Sequence, residues 1–469
     1  MRPAQRFISL GVFLFFVWYL FLRSSPPKDP VPQTDDIPAA KVKKFLKWRT
    51  NKERPVIFTI ADKSSIDNLH NIHEKLQLWG RTDNFVAFCL DEDCNTMHAD
   101  GVRRIDVSMV RGGRDVVLIQ LALQLTEDGH SFLHVDSDIC FTGTHDPFSR
   151  MFPLTNDNWD VQFMEEDNKL DPGYWFSKPT SETLAYLRNV ATLQKDKANK
   201  GVSSTYLLRE GLRGLSVRYH LLDKDLFKSW SDRQAWEAQN FATEPQIDLL
   251  IKGTTAIHFT CIDKSVRSYF GKLFGGWSDY NGYYSNVRGR YLSIRGISGT
   301  KDQILNFIAL AVQLALHSGR ILILPYHVEI IQKRMKHVGP DLVPEYIRIP
   351  TFPLYRVIDI NSLDPILEYV EASFPLNREK YTDAEIFVAD LVLDETLLEH
   401  ESDQGYPRIV NKVREMGSAG VVALSLEGFE MRNAVGFEKV GQYVDEAKLK
   451  LKVCKNIDEK ETACGKRCT

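Results

Sequence analysis

Two aspartates separated by a single residue are the groups in this sequence best placed to do chemistry. Asp136 and Asp138 follow directly on a short apolar stretch within residues 131–141. Side chains alternate along a strand, so both carboxylates would point to the same side and reach one divalent cation. Open α/β sheets bind ligands beyond the carboxyl ends of their strands, which suits a metal diphosphate. The other interpretation is that the two acids only mark a turn at the end of a strand.

A histidine and a lysine later in the chain would complete this site. His258 lies between two apolar residues and offers a neutral imidazole as a third metal ligand. Carboxylates, an imidazole and phosphate oxygens suit Mn²⁺ and also allow Mg²⁺. Lys264 follows closely and is expected to contact the diphosphate. A buried structural histidine is the alternative for His258, and solvated positions are expected for Arg267 and Lys272.

A glycine pair at the start of a helix offers a further anion contact. Gly112 and Gly113 precede Arg114, and two glycines let backbone N–H groups and an arginine approach an anion. The alternative is an ordinary helix cap followed by a solvated arginine.

The elements that must position these groups alternate between strand and helix. Apolar runs and helical spacing predict strands at 55–61, 85–90, 104–107, 132–135, 160–163 and 256–259, and helices at 65–79, 117–125 and 181–193. Such alternation favours an α/β fold with a mostly parallel sheet and right-handed crossovers.

A second, smaller α/β unit is predicted beyond a boundary at 277–288 that is rich in Gly, Tyr and Asn. Its predicted elements are strands at 291–295, 321–324, 385–393 and 420–424, and a helix at 301–318. This helix is apolar on nearly every face, and we interpret it as a buried crossover rather than a membrane span.

The amino terminus contains an uncharged apolar run at 7–22. It is slightly shorter than the usual spanning helix of about 17–25 residues, which suits a thin early secretory membrane. A cleaved signal peptide is the alternative, but bulky residues such as Trp18 and Phe21 end the run. The sequence therefore predicts a transmembrane signal anchor, a cytoplasmic tail at 1–6 and a stiff Pro-rich stem at 23–54.

Composition and cysteine usage narrow the class of protein. The chain has 469 residues, which exceeds what one hydrophobic core usually spans and predicts two folded units. Its composition, 43% hydrophobic and 26% charged, is that of a globular protein. A net charge of -3 gives no basic field for nucleic acid. Seven cysteines fit a secretory compartment, and Cys89 and Cys94 flank a predicted turn. The three cysteines at 453–469 are expected to form a disulfide rather than a zinc site, because no histidine accompanies them.

Together with the anchor and stem, the motifs resemble the nucleotide-diphospho-sugar transferase domain of glycosyltransferase family 77 over roughly 54–277. The residues that carry the resemblance are Arg114, Asp136-Ser137-Asp138, Asp146-Pro147-Phe148, His258 and Lys264. The resemblance implies a GT-A fold, a UDP-sugar donor of the galactose, arabinose or xylose type, Mn²⁺ dependence and retention of configuration. It also implies that Asp136 and Asp138 ligate the metal, with His258 completing the shell, and that Arg114, Ser137 and Lys264 bind the donor.

The resemblance also has two departures. Asp171-Pro172-Gly173-Tyr174 stands where the family commonly has Asn-x-Gly, and no Asp-Gln pair is found around Ser203-Ser204. We expect Asp171, Gly173, Tyr174 and Trp175 to line the sugar or the acceptor, with the two rings stacking on a sugar face. Packing of a loop is the alternative for the rings.

The resulting domain assignment is a GT-A unit at 55–280, an accessory α/β unit at 288–452 and a cysteine-containing tail at 453–469. Residues 291–325 resemble the start of O-fucosyltransferase-like domains, which suggests acceptor binding or scaffolding for the second unit.

These observations predict a single-pass type II membrane protein of the Golgi or endoplasmic reticulum with a lumenal, metal-dependent glycosyltransferase unit. A glycan or glycoprotein would be the acceptor, and the leaving diphosphate would deprotonate its hydroxyl group. Two alternatives stay open: a binding or scaffolding protein with a degenerate site, and a haloacid-dehalogenase-like phosphohydrolase with Asp136 as nucleophile.

Overall fold

The computed structural model describes residues 34–48, 53–97, 101–142, 146–151, 158–166, 169–196, 202–230, 253–260, 262, 264–279, 282–285, 289–338, 341–379, 382, 388–392, 405–416 and 421–425. The predicted anchor at 7–22 and the tail at 453–469 lie outside the described residues. Within the described ranges, no helix combines the length and the apolar character needed to span a membrane.

The first unit is built on a seven-stranded, mostly parallel sheet. Its strands and those of a small neighbouring sheet are β1 (Val56–Ala61), β2 (Phe85–Cys89), β3 (Arg104–Asp106), β4 (Phe132–Val135), β5 (Ile139–Phe141), β6 (Val161–Glu166), β7 (Lys169–Ser177), β8 (Tyr219–Leu221), β9 (Phe227–Ser229) and β10 (Ala256–His258). The large sheet has the order β3-β2-β1-β4-β7-β6-β8, and β7 runs antiparallel to both of its neighbours. The small sheet has the order β5-β10-β9.

The strands predicted from apolar runs are present. All residues of β1 and β2 are buried, as expected for interior parallel strands covered on both faces. The strand predicted to end before the acids is β4, and a turn at Asp136-Ser137-Asp138 joins it to a further short strand, β5. The acids therefore lie beyond the carboxyl end of β4.

Helices cover both faces of the first sheet. They are α1 (Ala39–Trp48), α2 (Ile66–Leu78), α3 (Glu92–Thr96), α4 (Gly113–Glu127), α5 (Phe148–Met151), α6 (Ser181–Lys195), α7 (Ser204–Gly211) and α8 (Arg267–Leu273). Gly112 precedes α4 with a φ of 88°, and a Cβ atom there would lie 2.3 Å from the Val116 side chain. The glycine is thus required by the sharp entry into α4. A disulfide joins Cys89 to Cys94 across the turn between β2 and α3.

The second unit is a five-stranded parallel sheet beside a three-stranded sheet that contains a long two-stranded ribbon. Its elements are β11 (Tyr291–Arg295), β12 (Ser298–Gly299), α9 (Lys301–Ser318), β13 (Ile321–Ile323), β14 (His327–Val338), β15 (Asp341–Pro353), β16 (Tyr369–Val370), α10 (Phe374–Glu379), β17 (Val388–Val392), α11 (Gly405–Glu415) and β18 (Val421–Ser425). The sheet order is β16-β13-β11-β18-β17. Most side chains of α9 are buried, in agreement with a crossover helix.

One hydrophobic core joins the two units. Aromatic side chains of the first unit, including Trp230, Phe259 and Phe270, share a buried cluster with residues of β11, α9 and β13. The Phe270 ring lies 4.8 Å from the Trp230 ring and 4.9 Å from the ring of Tyr355, which follows β15. The second unit therefore completes the packing of α8.

Replacing Phe270 by alanine tests whether this core couples the units. The side chain is fully buried, so we expect Phe270→Ala to lower the free energy of unfolding by about 3–5 kcal/mol in one cooperative transition. Urea denaturation followed by circular dichroism measures this. Leu316→Ala, on the exposed side of α9, is the control and should cost far less. Separate transitions for the two units in the wild-type chain would contradict the shared core.

Candidate metal and diphosphate site

The turn after β4 and the end of β10 bring three potential metal ligands together. One ligand atom from each of Asp136, Asp138 and His258 lies within 4.8 Å of the other two. His258 Nε2 is 3.5 Å from Asp136 Oδ2 and 3.2 Å from Asp138 Oδ1. The position of His258 follows from β10, which pairs with β5 so that His258 lies opposite Ile139. All three side chains are buried.

Two arginines compensate the buried carboxylates. Arg114, from the first turn of α4, forms a close ion pair with Asp136 Oδ1, and Arg267 Nη2, from α8, lies 3.0 Å from Asp138 Oδ2. Burial would raise the pKa of Asp136, but Arg114 and His258 hold it well below the ordinary value. Burial likewise opposes ionisation of Asp138, whose pKa is lowered by His258 and Arg267. Both acids are therefore carboxylates at neutral pH.

A third carboxylate, that of Asp171, forms a hydrogen bond with the His258 nitrogen that faces away from the other two acids. His258 Nδ1 donates to Asp171 Oδ2 at 2.5 Å. Burial would lower the pKa of His258, but Asp171 and Asp138 raise it well above the ordinary value. A Cβ atom on Gly173 would lie 2.1–2.7 Å from three ring atoms of His258, so only glycine leaves room for the ring. Asp171 and Gly173, predicted to line a sugar, instead surround the imidazole.

The prediction that Tyr174 and Trp175 stack on a sugar is wrong for this structure. Both side chains are fully buried. Tyr174 donates to Met151 Sδ in the core on one face of the sheet, and the Trp175 ring stacks on Phe163 at 5.2 Å on the other. A strand in the middle of a sheet buries both of its faces, so neither ring can meet a ligand.

The remaining predicted donor-binding residues lie at the rim of the trio. Lys264 Nζ is 2.6 Å from Asp62 Oδ2, at the carboxyl end of β1. Partial burial opposes ionisation of Asp62, but hydrogen bonds from Lys264 and two serines lower its pKa to about 2. Ser137 donates to Ser65 Oγ at 3.1 Å. The carboxyl ends of β1 and β4 therefore meet at one site, as the parallel sheet requires.

Three residues of this site were not assigned a role from the sequence. His134 Nδ1 donates to the Pro172 carbonyl at 2.8 Å, while its Nε2 faces Asp136 Oδ1 at 3.1 Å. Burial lowers the pKa of His134 to about 4, so the ring is neutral at pH 7. Arg267, expected to be solvated, and Asp62 complete the set. The sequence signal for His134 was a polar residue two positions before Asp136. The signal for Asp62 was an acid directly after β1.

The donor set fits a divalent cation of the Mn²⁺ or Mg²⁺ type. Two carboxylates and one imidazole nitrogen are typical ligands of Mn²⁺, and the preference for oxygen also admits Mg²⁺. The second nitrogen of His258 is held by a carboxylate, which is the arrangement commonly found behind a metal-bound histidine.

Sequence comparison assigns no family. No family model matches the chain, and no curated protein matches it significantly. The resemblance to family 77 thus remains a prediction from motifs.

Several solved structures of glycosyltransferases are distantly similar. The galactosyltransferase LgtC in complex with donor and acceptor sugar analogues is 13% identical with a TM-score of 0.29, over 44% of this chain and 86% of that one. Mouse xyloside xylosyltransferase 1 is 9% identical with a TM-score of 0.29, over 44% and 97%. Glycosyltransferase GlyE of Streptococcus pneumoniae TIGR4 is 11% identical with a TM-score of 0.32, over 85% and 100%. At these TM-scores the similarity carries no argument about function. The functional argument rests on the geometry of the site.

Gly173→Ala tests whether the space beneath His258 matters for metal binding. The added methyl group must displace the imidazole, so we expect the affinity for Mn²⁺, measured by isothermal titration calorimetry, to fall about 10-fold or more. Gly253→Ala is the control, because a Cβ atom there has no neighbour within 4 Å. Equal Mn²⁺ affinity in wild type and Gly173→Ala would show that His258 is not a ligand.

Proposed function

We propose that this protein is a metal-dependent glycosyltransferase that transfers a sugar from a UDP-sugar to a glycan or glycoprotein. The observation that carries the proposal is the buried trio of Asp136, Asp138 and His258 at the carboxyl end of a mostly parallel sheet. Ligands of open α/β sheets bind at this edge.

The charges of the site favour a diphosphate once a cation is present. Three buried carboxylates, Asp136, Asp138 and Asp171, are balanced by two arginines, Arg114 and Arg267, and by His258, whose pKa is raised. A divalent cation that takes the place of the proton on His258 Nε2 would give this group a net positive charge and neutralise the charge that develops on a departing diphosphate. The local field then attracts an anionic ligand.

The arginines and Lys264 would contact the nucleotide diphosphate. Lys264, whose side chain is 53% exposed, is the most accessible of these cations and can exchange Asp62 for a phosphate oxygen. Ser137, Ser65 and Asp62 lie around the same rim and offer hydrogen bonds to the ribose. Arg114, at the start of α4, would meet the nucleotide portion of the donor.

The choice of donor, the stereochemistry and the location belong to the same proposal. We infer a galactose, arabinose or xylose donor and retention of configuration from the motif resemblance alone. Because the buried carboxylates of the described site are engaged by Arg114, Arg267 and His258, the departing diphosphate is the group that accepts the proton of the acceptor hydroxyl. The apolar run at 7–22 supports a type II anchor in the Golgi or endoplasmic reticulum, with the second unit contributing to acceptor binding.

Asp138→Ala in the full chain, purified in detergent, tests the proposal. Loss of a direct metal ligand should reduce Mn²⁺-dependent hydrolysis or transfer of a UDP-sugar by more than the 10–100-fold typical of residues that only support a ligand. The rate of hydrolysis or transfer is measured for a panel of UDP- and GDP-sugars. Asp302→Ala, an exposed acid on α9, is the control.

Two outcomes would contradict the proposal. Full activity of Asp138→Ala would remove the metal role of this acid. A wild-type chain that shows neither turnover nor Mn²⁺-dependent thermal stabilisation by UDP would favour a scaffolding protein with a degenerate site.

A further inference from the structure

Strand β7 departs from regular pairing directly beside the acidic turn. In its ladder with β6, Phe163 lies opposite Trp175 but the next residue, Met164, lies opposite Asp171. Residues 172–174 are therefore extra on the β7 side. Pairing of β7 with β4 ends at Tyr174, opposite Val135, one residue before Asp136. Bulges of this kind bend a strand and redirect its side chains, often next to functional sites.

The displaced segment Asp171-Pro172-Gly173 contacts three members of the site through consecutive residues. Asp171 Oδ2 accepts from His258 Nδ1 at 2.5 Å, and the Pro172 carbonyl accepts from His134 Nδ1 at 2.8 Å. The Gly173 carbonyl accepts from the backbone N–H of Asp136 at 2.7 Å. One short stretch of chain therefore positions two potential metal ligands, His258 at the end of β10 and Asp136 in the turn after β4.

Both oxygens of Asp171 are engaged within this segment. Oδ1 accepts from the backbone N–H of Gly173 at 2.8 Å, while Oδ2 holds the imidazole, and the residue is only 3% exposed. A carboxylate accepts hydrogen bonds but cannot donate them, so Nδ1 of His258 must carry a hydrogen. The other ring nitrogen, Nε2, is thereby directed at Asp136 and Asp138.

We propose that Asp171 is a positioning residue of the metal centre, which fixes the tautomer and the orientation of His258. This role takes the place of the sugar contact expected for an Asn-x-Gly segment and rests on the metal site of the proposed function. An asparagine at position 171 would keep the shape but lose the charge, and its amide could face the ring with either its oxygen or its NH₂ group. Metal affinity should therefore depend on the carboxylate and not only on the shape of the side chain.

The test compares Mn²⁺ binding by the full chain, purified in detergent, with binding by Asp171→Asn and Asp171→Ala. Partners behind a ligating histidine typically contribute 10–100-fold to metal affinity, so we expect Asp171→Asn to weaken Mn²⁺ binding by about that factor. Pulsed electron paramagnetic resonance supplies a second readout, because ¹⁴N modulation from His258 should be present in wild type and reduced in Asp171→Asn. If Asp171→Ala does not fold, the isosteric asparagine variant still decides.

The matched control is Asp160→Asn. Asp160 is a second fully buried aspartate beside the same sheet, where it accepts hydrogen bonds from Arg218 and Thr180. This variant should lose thermal stability while keeping wild-type Mn²⁺ affinity and the ¹⁴N signal. An equal loss of affinity in the Asp160 and Asp171 variants would reduce the role of Asp171 to general folding and overturn the inference.

Two further results separate this inference from the proposed function. Wild-type affinity and an unchanged ¹⁴N signal in Asp171→Asn, together with lost binding in Asp138→Ala, would overturn the role of Asp171 and leave the metal site intact. Absence of Mn²⁺ and Mg²⁺ binding to the wild-type chain would overturn both.

Discussion

Repulsion between two neighbouring carboxylates, buried where a parallel sheet ends, is the constraint on which the arrangement of this molecule depends. Asp136 and Asp138 are both nearly inaccessible to water, and charges in such surroundings are costly unless they are paired. The structure meets this demand with a separate arginine for each acid and with the imidazole of His258 between them. The same demand makes the place attractive to a small, doubly charged cation.

The compensating groups come from distant parts of the chain, so the site exists only when the whole fold has formed. Arg114 opens the helix before β4, His258 ends β10 and Arg267 begins α8. Helix α8 in turn is fixed by the second unit, since the carbonyl of Lys272 accepts hydrogen bonds from Ser373 and Asn377. The second unit is thus connected to Asp138 through one short helix.

Sequence patterns identified the parallel strands and the acids well but failed on β7. Strands β1, β2 and β4 are short, mostly apolar runs of the kind that is buried on both faces of a parallel sheet. His258 was identified because a cation needs a nitrogen or oxygen ligand near the acids. Asp171-Pro172-Gly173 has the composition of a turn, which hid a nine-residue strand in the middle of the sheet. Whether Trp175 faces a ligand or the core depends on neighbours that are remote in sequence. The partnership of Arg267 with Asp138 was hidden for the same reason.

The core shared by the two units also bears on how such a protein could be recombined. The predicted boundary at 277–288 follows the chain, but Trp230, Phe259 and Phe270 all pack with side chains beyond it. In a chimaera joined at that boundary, the side chains of the grafted half would have to pack against a surface that comes from a different protein. Crossover points placed before β9 would instead transfer both sides of the contact together, and they would carry His258 and Arg267 with the graft. Modular exchange of this second half would therefore also replace part of the catalytic machinery proposed for the first.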